Sequence, residues 1–154
     1  MIKIVNGDLI YAKENIIAHQ VNCQGVMGSG VAEQIKRHFP KAFEEYKELV
    51  DEHGEFTKTL LGKVQGVDLG KDSFIVNMFG QDNYGRDGKV YTSTEALYEC
   101  FKKVRDIAEA NNLSVAMPYM IGCYRGNADW KEVEGLLLTA FEGYEVTLYK
   151  MHKG

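Results

Sequence analysis

Proline and cysteine are scarce in this sequence, with Pro40 and Pro118 the only prolines and three cysteines in all. With so little proline, no Ser- or Gly-rich linker and no internal repeat of useful length, no domain boundary is visible, and 1–154 reads as a single domain. Cys23, Cys100 and Cys123 are odd in number and widely spaced, which argues against a disulfide framework. They include no Cys-x-x-Cys pair, and His19, His38, His53 and His152 form no metal-ligand pattern, so neither a metal nor a cofactor is expected. A reducing cytoplasm is the simplest compartment. No run approaches the ~20 apolar residues of a membrane span, and MIKIVNGDLI lacks a charged segment followed by a long apolar one. The expectation is a soluble monomer with no membrane partner. A net charge of −4 argues against coating nucleic acid by bulk charge, but not against a local basic patch.

What is present is an alternation of two hydrophobic periods. Ile2 and Ile4 begin a short strand ending at Asn6-Gly7-Asp8, and Ile16 to Val21 is a second β-rich run. Val31, Ile35 and Phe39, then Ala42, Tyr46 and Leu49, fall at helical spacing. Phe74 to Met78 has the character of a strand buried on both faces. Thr92 and Glu95 make a capping-box pattern before a helix with the stripe Leu97, Phe101, Val104 and Ala108. Ser114 to Met117 reads as a strand, Asp129 and Glu132 as a second cap signal, and Val133, Leu136, Leu137 and Ala140 as a helical face. Glu145 to Tyr149 closes the chain as a strand. Strands separated by helices of this length predict an α/β fold, with a mixed, largely parallel central sheet sandwiched between helices.

In such a sheet ligands sit outside the carboxyl ends of the strands. The loops Asn22–Gly30 and Pro118–Asp129 both follow predicted strands and precede predicted helices, where unpaired backbone N–H groups favour phosphate. Gly25, Gly28 and Gly30 in one loop, and Gly122 and Gly126 in the other, let a backbone approach a ligand closely, although glycine serves plain tight turns as often. Two such loops facing one crevice suit two linked phosphates. Neither is a Walker A motif or a strict Gly-x-Gly-x-x-Gly fingerprint, which sets aside standard NTPases and dehydrogenases. Asp8 can accept from the exocyclic amine of adenine, but its position alone favours a turn or helix cap. Asn22 can bond ribose hydroxyls or pin its own loop. Cys23 and Cys123 flank the crevice with no arguable activating histidine, and read as small loop or core residues.

Taken together, GDLI, AHQVNCQGVMGSGVAEQIKRHFP and MPYMIGCYRGNADW resemble the macrodomain family across nearly the whole chain. The likeness is to the branch containing the human terminal ADP-ribose protein glycohydrolase and antitoxin macrodomains that strip ADP-ribose from DNA. It implies a three-layer α/β/α fold that binds ADP-ribose at the crest of the central strands. By that resemblance Asp8 and Leu9 read adenine, Asn22 meets the distal ribose, and Gly28, Gly30 and Val31 cradle phosphate. The second phosphate loop maps onto Ile121, Gly122, Cys123, Tyr124, Arg125, Gly126 and Asn127.

The branch's catalytic residues transfer badly. Its lysine falls at Gln81, whose amide has no basic nitrogen to attack a sugar, and its aspartate falls at Gly126. Lys89 lies further along the first of these loops. A water mechanism needs an orienting group, for which Asp129, Asp82 and Asp87 are the loop acids, although Asp129 suits a cap equally and the other two suit a solvated stretch. The expected catalytic candidates are therefore Asp129, Asn22 and Lys89. Arg86 and Arg125 can pair a phosphate or a surface acid, and Tyr84 and Tyr124 can cover a ring or merely pack. The expected activity is hydrolysis of an ADP-ribosyl linkage to a protein acid, a nucleic-acid base, or a small group such as an ester or 1''-phosphate. A non-catalytic ADP-ribose reader is the alternative, and the expected partner is ADP-ribose or an ADP-ribosylated protein or DNA.

Overall fold

A computed structural model of the chain describes residues 1–151, and His152 lies outside them. Six strands form one sheet: β1 (Ile2–Asn6), β2 (Ile16–Val21), β3 (Val64–Gly70), β4 (Ser73–Phe79), β5 (Val115–Pro118) and β6 (Val146–Lys150). Their spatial order is β1-β6-β5-β2-β4-β3, parallel throughout except for the antiparallel β3–β4 pair. The expected mixed, largely parallel sheet between helices is what forms.

The central strands carry apolar residues on both faces because both are covered. On β2, Ile16 and Ala18 join the core beneath α3 (Thr94–Asn111) and α4 (Trp130–Ala140), while Ile17 joins the core under α1 (Gly30–His38) and α2 (Pro40–Glu52). The expected α3 stripe, Leu97, Phe101, Val104 and Ala108, is fully buried. Each of its larger side chains contributes about 1.5–3 kcal/mol by leaving water. The helix stops where Asn112 turns left-handed, at φ 55°.

Two expectations need correction, and one strand goes unpredicted. Thr92 does not cap α3: Ser93 does, accepting from Ala96 N at 3.1 Å. Two adjacent hydroxyls were competent, and the Thr92 hydroxyl is taken by partners distant in sequence. On α2, Val50 rather than Leu49 completes the buried face with Ala42 and Tyr46. Strand β3 was not foreseen, since glycines and an aspartate dilute its pattern. It forms as an edge strand because Lys71 and Asp72, both with positive φ, make a tight hairpin turn into β4. Among the described residues no helix is long and apolar enough to cross a membrane.

Candidate functional site

The carboxyl ends of β1, β2, β5 and β6 open together into a crevice of about 810 Å³, within the usual range for small-ligand sites. Of the residues expected to bind, Asp8, Leu9, Asn22, Gly28, Gly30, Val31, Ile121, Gly122, Tyr124, Arg125 and Gly126 line it. A Cβ at Gly30 (φ 62°) would lie 3.8 Å from Arg125 Cγ, so the two glycine loops meet across the opening. Cys123, Asn127, Lys89 and Asp129 do not line it.

At one end Asp8 follows β1. Its Oδ1 accepts from Ile10 N at 3.2 Å and caps the 3-10 turn Leu9–Tyr11, and its other oxygen has no partner among the described residues. Cap and ligand contact are thus compatible in one carboxylate. Tyr119, Tyr149 and Lys150 line this end too. They were not singled out from sequence, yet the parallel topology carried the signal, since parallel strands end at one rim.

At the other end lies Asn22. Its Oδ1 accepts from Gln24 N at 2.9 Å and Tyr46 Oη at 2.7 Å, and its Nδ2 donates to Val26 O at 2.8 Å. One amide hydrogen stays uncommitted. Gln81, where the resemblance put a lysine, is buried: it accepts from Gln20 Nε2 at 2.7 Å and donates to Asn83 O at 2.7 Å. Gln20 Nε2 also reaches the Thr92 hydroxyl at 2.8 Å, and that hydroxyl donates to Gly122 O at 2.8 Å. Gly126, where the resemblance put an aspartate, has no room for a side chain. A Cβ there would overlap the Thr92 hydroxyl oxygen and approach Gly122 O to 2.6 Å. Neither position carries the ionisable side chain that the resemblance led one to expect there.

The remaining candidates stand apart from the crevice. Lys89 is exposed, 3.7 Å from Asp87, and its carbonyl accepts from Asn127 Nδ2 at 2.7 Å. Asp129 is the N-cap residue of α4 by backbone position, but its carboxylate makes no cap hydrogen bond and is exposed. Asp82 accepts from Gln24 Nε2 at 3.1 Å, and Asp87 from Tyr91 Oη at 2.7 Å. Asp8 is the one carboxylate among the described residues that line the crevice, whose other charges are Arg86, Arg125 and Lys150.

Burial makes the thiols poor nucleophiles. Desolvation first, then the nearby Asp82, pushes Cys23 up to about 12, and desolvation with Asp129 pushes Cys123 up to about 11. His19, on the crevice floor, is held neutral: burial lowers its pKa to about 4 against the opposing Asn77 hydrogen bond. Its Nε2 lies 2.7 Å from Asn77 Oδ1, and its Nδ1 has no partner among the described residues. The described residues hold no group of three or more His, Cys, Asp or Glu suited to a metal.

Known proteins are similar to this chain in sequence and architecture. A DNA ADP-ribosyl glycohydrolase of Mycobacterium tuberculosis is 33% identical over 145 residues, covering 92% of this chain and 39% of that protein. This chain thus spans about two fifths of the length of that relative. An ADP-ribose 1''-phosphate phosphatase of Meyerozyma guilliermondii is 27% identical over 158 residues, covering 86% of this chain and 90% of that one. The solved macrodomain of Mycobacterium tuberculosis DarG superposes with a TM-score of 0.82 at 26% identity, covering 99% of each chain. The Macro domain family model matches residues 18–137. The crevice, the sheet beneath it and these likenesses agree, and the chain belongs to the Macro domain family.

Proposed function

We propose that this chain binds ADP-ribose in the crevice and hydrolyses an ADP-ribosyl linkage at the Asn22 end. The lining carries the reading: two glycine loops meet over the opening, with Asp8 at one end and cations as the other charges. That distribution suits a ligand with an amine-bearing base at one end and a diphosphate in the middle. The loop amides of Gly28, Gly30 and Val31, and those of 121–126, would hold the two phosphates as helix N-termini and glycine turns hold anions.

Cleavage at the distal ribose needs a water beside the anomeric carbon and stabilisation of an oxocarbenium-like state. The Asn22 end offers amides rather than an amine or acid. Hydrolysis here rests on positioning, with Asn22 holding sugar or water and the bound diphosphate supplying negative charge. Asn22 is thereby favoured over Lys89 and Asp129 as the residue beside the reacting atoms. The cations Arg86 and Arg125 suit an anionic leaving side, and the relatives' names offer two, a DNA strand and a 1''-phosphate.

The test is calorimetry with ADP-ribose, followed by turnover of ADP-ribosylated DNA, ADP-ribosylated glutamate peptide and ADP-ribose 1''-phosphate. Binding is expected, with turnover of at least one substrate that survives Lys89→Ala. Binding without turnover of any would make the chain a reader, and absence of binding would overturn the site itself.

A further inference from the structure

We infer that Tyr46, on α2 behind the first glycine loop, is a positioning residue for the reaction at Asn22, an inference that rests on the hydrolase reading above. Tyr46 does not line the crevice. Its ring is fully buried, 5.8 Å from the Phe79 ring and 6.2 Å from Phe43 between centroids. Its hydroxyl meets one short stretch of loop four times: Asn22 O at 2.8 Å, Asn22 Oδ1 at 2.7 Å, Gly25 N at 3.1 Å and Val26 N at 3.1 Å.

A phenol has one proton and two lone pairs. It accepts from the Gly25 and Val26 amides, and its proton is shared between the two Asn22 oxygens. The hydroxyl is saturated, and each bond acts on residues 22–26, of which Asn22 and Val26 face the crevice. Tyr46, together with Gln24 N at 2.9 Å, holds Oδ1 and so the plane of the Asn22 carboxamide. With Nδ2 tied to Val26 O as well, the remaining amide hydrogen has a single direction.

The loop presses on α2 elsewhere too. Gly25 has φ 80°, and a Cβ on it would lie 3.2 Å from Lys47 Cδ and 3.6 Å from Val50 Cγ1. The phosphate-side residues Gly28, Gly30 and Val31 make no hydrogen bond to this hydroxyl. Tyr46 thus governs the distal-ribose side of the loop and leaves the diphosphate side alone. Small misplacements of a group beside the reacting atoms cost rate more than affinity.

The experiment compares Tyr46→Phe, which keeps the ring and removes the hydroxyl, with Phe79→Leu, which loosens the packing on that ring and keeps the hydroxyl. kcat, KM, ADP-ribose Kd, melting temperature and amide exchange are measured in the full chain, using whichever linkage the wild type cleaves. Tyr46→Phe should lower kcat at least tenfold, move KM and Kd less than threefold, and strip exchange protection from the Gly25 amide, while Val26 N keeps Asn22 Oδ1 as an acceptor. Phe79→Leu should lower the melting temperature while kcat stays within twofold. A Tyr46→Phe kcat within twofold of wild type, or equal kcat losses in both variants, would overturn the role of Tyr46 alone. A wild type that turns over no linkage would overturn the hydrolase reading, and the role of Tyr46 with it.

Discussion

The loop after β2 and the loop after β5 line the same crevice and both bond the 80–92 loop, yet only the first is also held by a buried phenol on the helix behind it. Asn22, Gly25 and Val26 converge on the Tyr46 hydroxyl. Residues 118–129 are bound to 80–92: Tyr91 N and Thr92 N both donate to Gly126 O, and Thr92 Oγ1 donates to Gly122 O. A buried side-chain hub adds to the bonds that Cys23 and Gln24 make with Asp82 in holding the first wall, so removing one oxygen loosens the Asn22 side of it. Many bonds, most to backbone, fix the second, where crowding rather than loosening does the damage.

The largest effect should come from crowding the second wall. Gly126→Asp, which restores the acid expected by resemblance, places its Cβ on the Thr92 hydroxyl and near a backbone carbonyl. Overpacking there should cost about 3 kcal/mol in denaturant unfolding. An unchanged midpoint would mean that this wall yields as easily as the first.

Acid should act behind the first wall. His19 sits with Ile17 and Val21 on the α1–α2 face, buried and neutral, and burial lowers its pKa to about 4 from the ordinary 6.5. The unfolded chain therefore binds the extra proton first. The contribution is complete above pH 6.5 and is lost as pH falls from 6.5 towards 4. The loss should be about 2 kcal/mol between pH 7 and pH 5. Urea unfolding of wild type and His19→Gln at both values checks it, and equal slopes in the two proteins would place the acid sensitivity elsewhere.

Thr92→Val should be nearly as costly, at about 2 kcal/mol, because it strips a partner from Gln20 Nε2 and from Gly122 O without changing shape much. Gln20 Oε1 is already buried with no partner among the described residues, so this network has little slack. Thermal unfolding would show it, and a negligible change would mean that the two loops are held by their backbone bonds alone.

The smallest effects separate two acids at helix starts. Asp8→Ala loses a cap bond and should cost about 1 kcal/mol, while weakening ADP-ribose binding at least tenfold. Asp129→Ala loses none and should stay within about 0.5 kcal/mol, with binding unchanged. Equal effects in the two variants would erase the distinction drawn between them.

These contrasts also mark what the sequence could disclose. Strands β2 and β4 and the α3 stripe were legible because both-face burial and a 3.6 period write themselves into apolar spacing. The glycine loops were legible because few other residues suit such turns. Strand β3 was not, since an edge strand needs little apolar pattern and its hairpin turn is set by Lys71-Asp72 rather than by the Asn-Gly or Asp-Gly pair that signals such turns. Tyr46 was visible as one member of an apolar face, but the partner of a buried hydroxyl is a fact of tertiary structure. Gln81 and Gly126 could be named as departures from sequence, whereas the reason that no side chain fits at 126 lies in Thr92, distant along the chain.

The central claim is that both walls grip one diphosphate through their main-chain amides. Titrating ¹⁵N-labelled protein with ADP-ribose and following each amide tests it directly. The account predicts large shifts, saturating together, at Gly28, Gly30 and Val31 and at Gly122, Tyr124, Arg125 and Gly126. Shifts confined to one wall, or saturating at different concentrations on the two, would contradict it.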